Sequence, residues 1–144
     1  MLCFPGFPVT RQAAKDQETM LKKRIRDIQS AGLVSVSLDS PVREAVGLMR
    51  ERGISCVPVL EDGRAAGMFT ERAVVRLAAS GEPFLDRPMR EVMSAPAVCV
   101  SPDALGHEAY SLLQARRLRH LAVADENGRC LGVVSQSDIV ANMG

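Results

Sequence analysis

Cysteine and histidine have the widest chemical range of the side chains in this sequence, and their spacing sets the first limits on function. The cysteines are Cys3, Cys56, Cys99 and Cys130, and no two show the C-x-x-C spacing of a zinc or dithiol redox site. Three sit in apolar contexts (Ser55-Cys56-Val57, Val98-Cys99-Val100, Arg129-Cys130-Leu131), which points to buried, reduced thiols and a cytoplasmic setting. His107 and His120 are the only histidines, too few to complete a metal site with such scattered cysteines, so no metal is expected. No nucleophile–base pair and no Walker-type glycine loop is found, so the chain is not expected to be an enzyme. The chemistry left open is binding rather than bond-making.

Composition narrows the ligand. Hydrophobic residues make up 47% of the 144 residues, but aromatics only 3% and Trp is absent. The core must be built from Val, Leu, Ala, Ile and Met, which suits helices on short sheets and not an aromatic platform for single-stranded nucleic acid. With 18 basic and 17 acidic side chains the net charge is +1, so no nucleic-acid partner is expected. Lys22-Lys23-Arg24 with Arg26 reads as a solvated helix face, and a second basic run is Arg116-Arg117 with Arg119. No apolar run approaches the roughly 20 residues of a membrane span, and no membrane partner is expected. The opening Met1–Val9 carries two prolines and no basic leader, unlike a signal peptide.

The elements that would position a binding site occur twice. At an offset of 64, Arg26-Asp27-Ile28 meets Arg90-Glu91-Val92, Val34 meets Val98, Asp39 meets Asp103 and Val59 meets Val123. After one inserted residue the offset is 65, and Gly63-Arg64 meets Gly128-Arg129 while Gly67 meets Gly132. The chain therefore divides into a tail and lead-in helix at 1–25, a first motif at 26–79, a linker at 80–89 and a second motif at 90–144.

Each copy reads β-α-β-β-α. In the first, Leu33–Val36 is a short strand, and Ser40 with Pro41 is expected to cap a helix. Val42, Ala45, Val46 and Met49 form its buried stripe, and Gly53 ends it. Strands at 54–60 and 64–69 flank an Asp62-Gly63 hairpin turn, and Thr70 caps a second helix. The second copy repeats the order: strand 97–100, helix 103–117, strand 118–124, turn Asn127-Gly128, strand 129–134 and helix 136–142. A unit of about 54 residues cannot easily bury its own apolar faces. The expected fold class is α/β (α+β), two such motifs packed through their sheets with pseudo-twofold symmetry. Ahead of them, Leu21, Ile25 and Ile28 at i, i+4, i+7 predict a helix over 16–31 behind a mobile tail at 1–12.

Arg90-Glu91-Val92-Met93-Ser94, the hairpin Leu118–Asp125 and Gly132-Val133-Val134-Ser135-Gln136-Ser137-Asp138 together resemble the CBS domain family, and the pair resembles a Bateman module over about 26–143. The resemblance implies a regulatory module sensing an adenosine-type nucleotide (AMP, ADP, ATP or S-adenosylmethionine), with no required cofactor. The alternative is a ligand-free dimerisation or scaffold module, whether on its own or as a fragment of a larger signalling protein. It further implies that Asp138 accepts from the ribose hydroxyls, that Ser135 lies near phosphate and that Val133 lines the base. Ala97 and Val98 would face the base edge, and Arg119 and His120 would offer positive charge. The first copy keeps Thr70 and Met68 but has Ala73 where the second has Asp138, so it is expected to be the degenerate site. A homodimer through the helices at 41–52 and 103–117 is also implied.

Overall fold

The computed structural model describes residues 23–29 and 32–142. The tail expected at 1–12, Leu21 and Cys3 lie outside the described residues. The first repeat comprises α1 (Ile25–Ile28), β1 (Val36–Ser37), α2 (Val42–Arg52), β2 (Cys56–Glu61), β3 (Arg64–Thr70) and α3 (Glu71–Ala79). The second comprises α4 (Met89–Val92), β4 (Cys99–Val100), α5 (Gly106–Arg116), β5 (His120–Ala124), β6 (Cys130–Ser135) and α6 (Gln136–Ala141). Each repeat forms a three-stranded sheet, ordered β1-β2-β3 and β4-β5-β6, in which the first pair is parallel and the second antiparallel. This is the mixed α and β fold expected.

The local signals explain most boundaries. Gly53 ends α2 in the left-handed conformation at φ 63°, and Asp62 and Gly63 turn the first hairpin at φ 52° and 79°. Thr70 and Ser135 cap α3 and α6, their hydroxyls accepting from the N–H groups of Ala73 and Asp138. Ser40 departs from expectation. Pro41 holds the cap position of α2 without a side-chain bond, while the buried Ser40 hydroxyl bonds the Ser37 N–H and hydroxyl, both at 2.9 Å. The second hairpin is also wider than Asn127-Gly128 alone, because the Asp125 carboxylate accepts from the N–H groups of both Asn127 and Arg129.

The two sheets face each other. Cys56 and Met68 of one pack with Ala122 and Cys130 of the other, joined by Ala97 and Val133. At the hairpin tips the Cys130 N–H donates to the Gly63 carbonyl at 2.9 Å. Each repeat also has its own helix-facing core, the first centred on Phe69 and the second on Leu113 and Ile139.

Those cores are completed crosswise. α1 opens the first repeat in sequence, yet Ile25 and Ile28 are buried in the core of the second. α4 opens the second, yet Met89 and Val92 are buried in the core of the first. Backbone bonds fix the exchange: Ile25 N–H to Ala104 O and Met89 N–H to Ser40 O, each 2.9 Å. Arg90 reaches Asp39 at 2.6 Å, and Arg26 pairs with Asp103 at the matched positions. Of the lead-in helix expected over 16–31, residues 16–22, 30 and 31 lie outside the described residues. Arg24 is extended and bridges Leu105, so the helix begins only at Ile25, and Gln29 is extended again beyond Ile28. Pairing to the second repeat wins over helical continuation there.

Candidate functional site

Crossing the lead-ins and facing the sheets leaves two clefts related by the pseudo-twofold. The first is a cavity of about 460 Å³. The second repeat contributes His120, Gly132, Val133, Ser135 and Asp138 to it. The first repeat contributes Gly32 and Val34 ahead of β1, and Arg52 through Cys56 between α2 and β2.

Asp138 is held by a reciprocal cap. Its N–H donates to the Ser135 hydroxyl at 3.0 Å, and its Oδ2 accepts from the Ser135 N–H at 3.2 Å. Oδ1 has no hydrogen-bond partner among the described residues. A half-buried carboxylate with one oxygen anchored and the other open is positioned to accept from a hydroxyl-bearing ligand. Val34, Ile54 and Val133 give the cavity apolar walls. Cys56 adds a buried thiol whose pKa is pushed up to about 12 by burial, so it is a protonated wall residue and not a nucleophile.

Of the residues expected from the sequence, Asp138, Ser135, Val133 and His120 meet in this cleft, and Val98, Arg119 and Ala97 do not. Val98 and Arg119 line the opposite cleft, while Ala97 packs between the sheets. The reason is the crossed architecture: each cleft combines the capped helix of one repeat with the first strand and the α–β connection of the other. The sequence reading missed Val34, Arg52, Ile54 and Ser55, although subtracting 64 from Val98 and Arg119 leads to Val34 and Ser55.

The opposite cleft is a cavity of about 980 Å³ around Thr70 and Met68. Its α3 position matching Asp138 is Ala73, only 3% exposed and part of the first repeat's core. A carboxylate placed there would be buried in the apolar core that also holds Val36 and Phe69, so Ala73→Asp would destabilise the fold and not rebuild a site. Cys99, expected to be buried, is exposed on the two-residue β4, whereas Cys56 and Cys130 are buried as expected.

His120 borders both clefts, and its Nε2 lies 3.0 Å from the Ser55 hydroxyl of the other repeat. Burial lowers its pKa from the ordinary 6.5, opposed by Asp138, helped by Arg119 and opposed by Glu71. The folded state thus favours neutral imidazole. As pH falls the unfolded chain takes up its proton first, so this contribution is complete above the unfolded pKa and is lost as pH falls through the folded one. The melting temperature is therefore expected to fall more between about pH 7.5 and pH 5.5 in the wild type than in His120→Gln. Identical slopes would contradict the assignment.

The family comparison agrees with this geometry. The CBS domain model matches residues 25–80 and 89–144, and the chain belongs to the CBS domain family. It is 29% identical over 119 residues to the CBS domain-containing protein YhcV of Bacillus subtilis, covering 82% of this chain and 84% of that protein. It is 27% identical to inosine-5'-monophosphate dehydrogenase of Methanocaldococcus jannaschii, but aligns with only 23% of that enzyme. Among solved structures, the CBS-domain protein ATU1752 of Agrobacterium tumefaciens superposes with a TM-score of 0.74 at 26% identity, covering 99% of this chain and 98% of that one. The CBS pair of MJ0100 superposes at 0.76 with 18% identity, covering 85% of this chain and 100% of that one, and was solved with 5'-methylthioadenosine and S-adenosyl-L-methionine. No helix among the described residues is long and apolar enough to cross a membrane.

Proposed function

We propose that the chain is a regulatory module, not an enzyme, that binds an adenosine-type nucleotide in the Asp138 cleft and passes its occupancy to a partner domain or protein. The observation that carries this reading is the capped, half-buried Asp138 with its open oxygen on an apolar-walled cavity. The ribose diol is the part of AMP, ADP, ATP or S-adenosylmethionine that such an acceptor would meet, and Val34, Ile54 and Val133 would flank the base. Arg52 is the guanidinium of this cleft and the one available to a phosphate. MJ0100 lends support as a CBS pair of the same fold solved with adenosine compounds. In this reading the protein is cytoplasmic, with neither nucleic acid nor membrane as partner, and works as a homodimer.

Calorimetry with AMP, ADP, ATP, S-adenosylmethionine and GTP tests the reading. At least one adenosine compound is expected to bind more tightly than GTP. No heat from any of them would favour the second reading, a ligand-free dimerisation or scaffold module. The buried Ala73 in the opposite cleft is the observation that favours that alternative. Light scattering at micromolar concentration is expected to show a dimer in either case, and a monomer there would remove the dimer.

A further inference from the structure

One buried side-chain oxygen among the described residues lacks a hydrogen-bond partner, the Oε1 of Gln29. A buried acceptor left unpaired is destabilising, and such atoms are rare in folded proteins. Its place is specific. A Cβ on Gly132 would stand 3.5 Å from Gln29 Nε2 and 3.9 Å from the Gly32 carbonyl oxygen, so the carboxamide lies over Gly132. Gly32 and Gly132 both line the 460 Å³ cavity that holds Asp138.

The pseudo-twofold repeats this contact with a different side chain. Gln29 matches Met93 and Gly132 matches Gly67, and a Cβ on Gly67 would meet Met93 Sγ at 2.6 Å. Met93 packs on the core of the first repeat. An apolar side chain therefore serves this position where packing is the whole task. Glutamine stands there with an unpaired oxygen that packing does not explain.

The donors of AMP, ADP and ATP at neutral pH are the ribose hydroxyls and the 6-amino group of adenine. Asp138 takes the hydroxyls in the reading above, and the phosphates only accept. Gly132 and Ser135 are three residues apart on β6, about 10 Å of extended strand. A nucleoside with its ribose at Asp138 and its base along Val133 therefore directs its purine edge toward Gly132 and Gln29.

We propose that Gln29 selects adenine in the Asp138 cleft, its carboxamide oxygen accepting from the 6-amino group. The inference rests on the nucleotide reading of that cleft. The terminal torsion of glutamine is soft, so the oxygen can turn to a donor, and turning breaks no hydrogen bond that it now makes. An unsubstituted purine offers no donor there, and hypoxanthine sets an oxygen against an oxygen.

The test is calorimetry of the full chain with adenosine, purine riboside and inosine, which differ at position 6 of the base. Wild type is expected to bind adenosine about tenfold more tightly than purine riboside, and inosine no better than purine riboside. Gln29→Met, which copies the matched position 93, is expected to bind adenosine about tenfold more weakly and purine riboside unchanged. Its melting temperature is expected to hold or rise, because a buried unpaired oxygen is removed, which separates lost recognition from a damaged fold. Equal affinity of wild type for adenosine and purine riboside overturns the proposal. So does an adenosine preference that survives in Gln29→Met, and the cleft reading then stands if Asp138→Ala still abolishes binding. No binding of any of the three nucleosides at millimolar concentration also overturns it. The Asp138 reading falls with it only if AMP, ADP, ATP and S-adenosylmethionine fail to bind as well.

Discussion

Asp138→Ala is expected to weaken adenosine-nucleotide binding by about 2–4 kcal/mol, on the scale of two lost charge-assisted hydrogen bonds. In dissociation constant that is roughly thirtyfold to several hundredfold. The substitution also removes the acceptor for the Ser135 N–H, so a loss of about 0.5–1 kcal/mol in stability should accompany it. The two effects separate through Asp138→Asn, whose side-chain oxygen can still accept from Ser135 but lacks the charge. That variant should keep most of the stability and lose most of the affinity. If the wild type binds an adenosine compound and Asp138→Ala binds it equally well, Asp138 is not the ribose acceptor.

Met89→Ala is expected to cost about 2–5 kcal/mol of stability, the range for truncating a buried long side chain to alanine. Met89 is 0% exposed and lies in the core of the first repeat, although it opens the second in sequence. At roughly 2–4 °C per kcal/mol for a chain of this size, the melting temperature should fall by about 4–20 °C. Because each repeat completes the other's core, urea unfolding should stay a single transition in wild type and variant. Two transitions, with only the second repeat affected by the substitution, would show that the repeats fold separately and that Met89 belongs to its own.

The repeat was legible because it left residues at fixed offsets, and much local structure followed from particular signals. Thr70 and Ser135 cap their helices as read, Asp62-Gly63 turns its hairpin, and Gly53 ends α2. Half of the candidate site, Ser135, Asp138, Val133 and His120, was legible for the same reason: it lies in one continuous stretch and its hairpin. The other half comes from the first repeat, and an offset states which residues are equivalent, not which copy packs on which. Val98 and Arg119 were therefore grouped with Asp138 although they line the other cavity, and Val34 and Ser55 were not seen. The matched Arg26/Arg90 and Asp39/Asp103 pairs were visible as repetition, but only the structure shows that each ion pair joins one repeat to the other. Ser40 and Asp125 bonded to neighbours that compete with the expected cap and turn, a choice that local pattern alone does not decide.

The crossed lead-ins also determine which repeat holds the chain at Lys23. Lys23 stands at the head of the described chain, yet its backbone carbonyl accepts from Gly106 and its Nζ reaches Asn142 Oδ1 at 3.1 Å, both in the second repeat. Asn142 in turn donates from its side chain to the Asp138 carbonyl at 2.8 Å. Two hydrogen bonds therefore link the chain at Lys23 to the residue that faces the 460 Å³ cavity. The head of the described chain is therefore tied to α6 and the second repeat, and not to the β-strands that follow it in sequence.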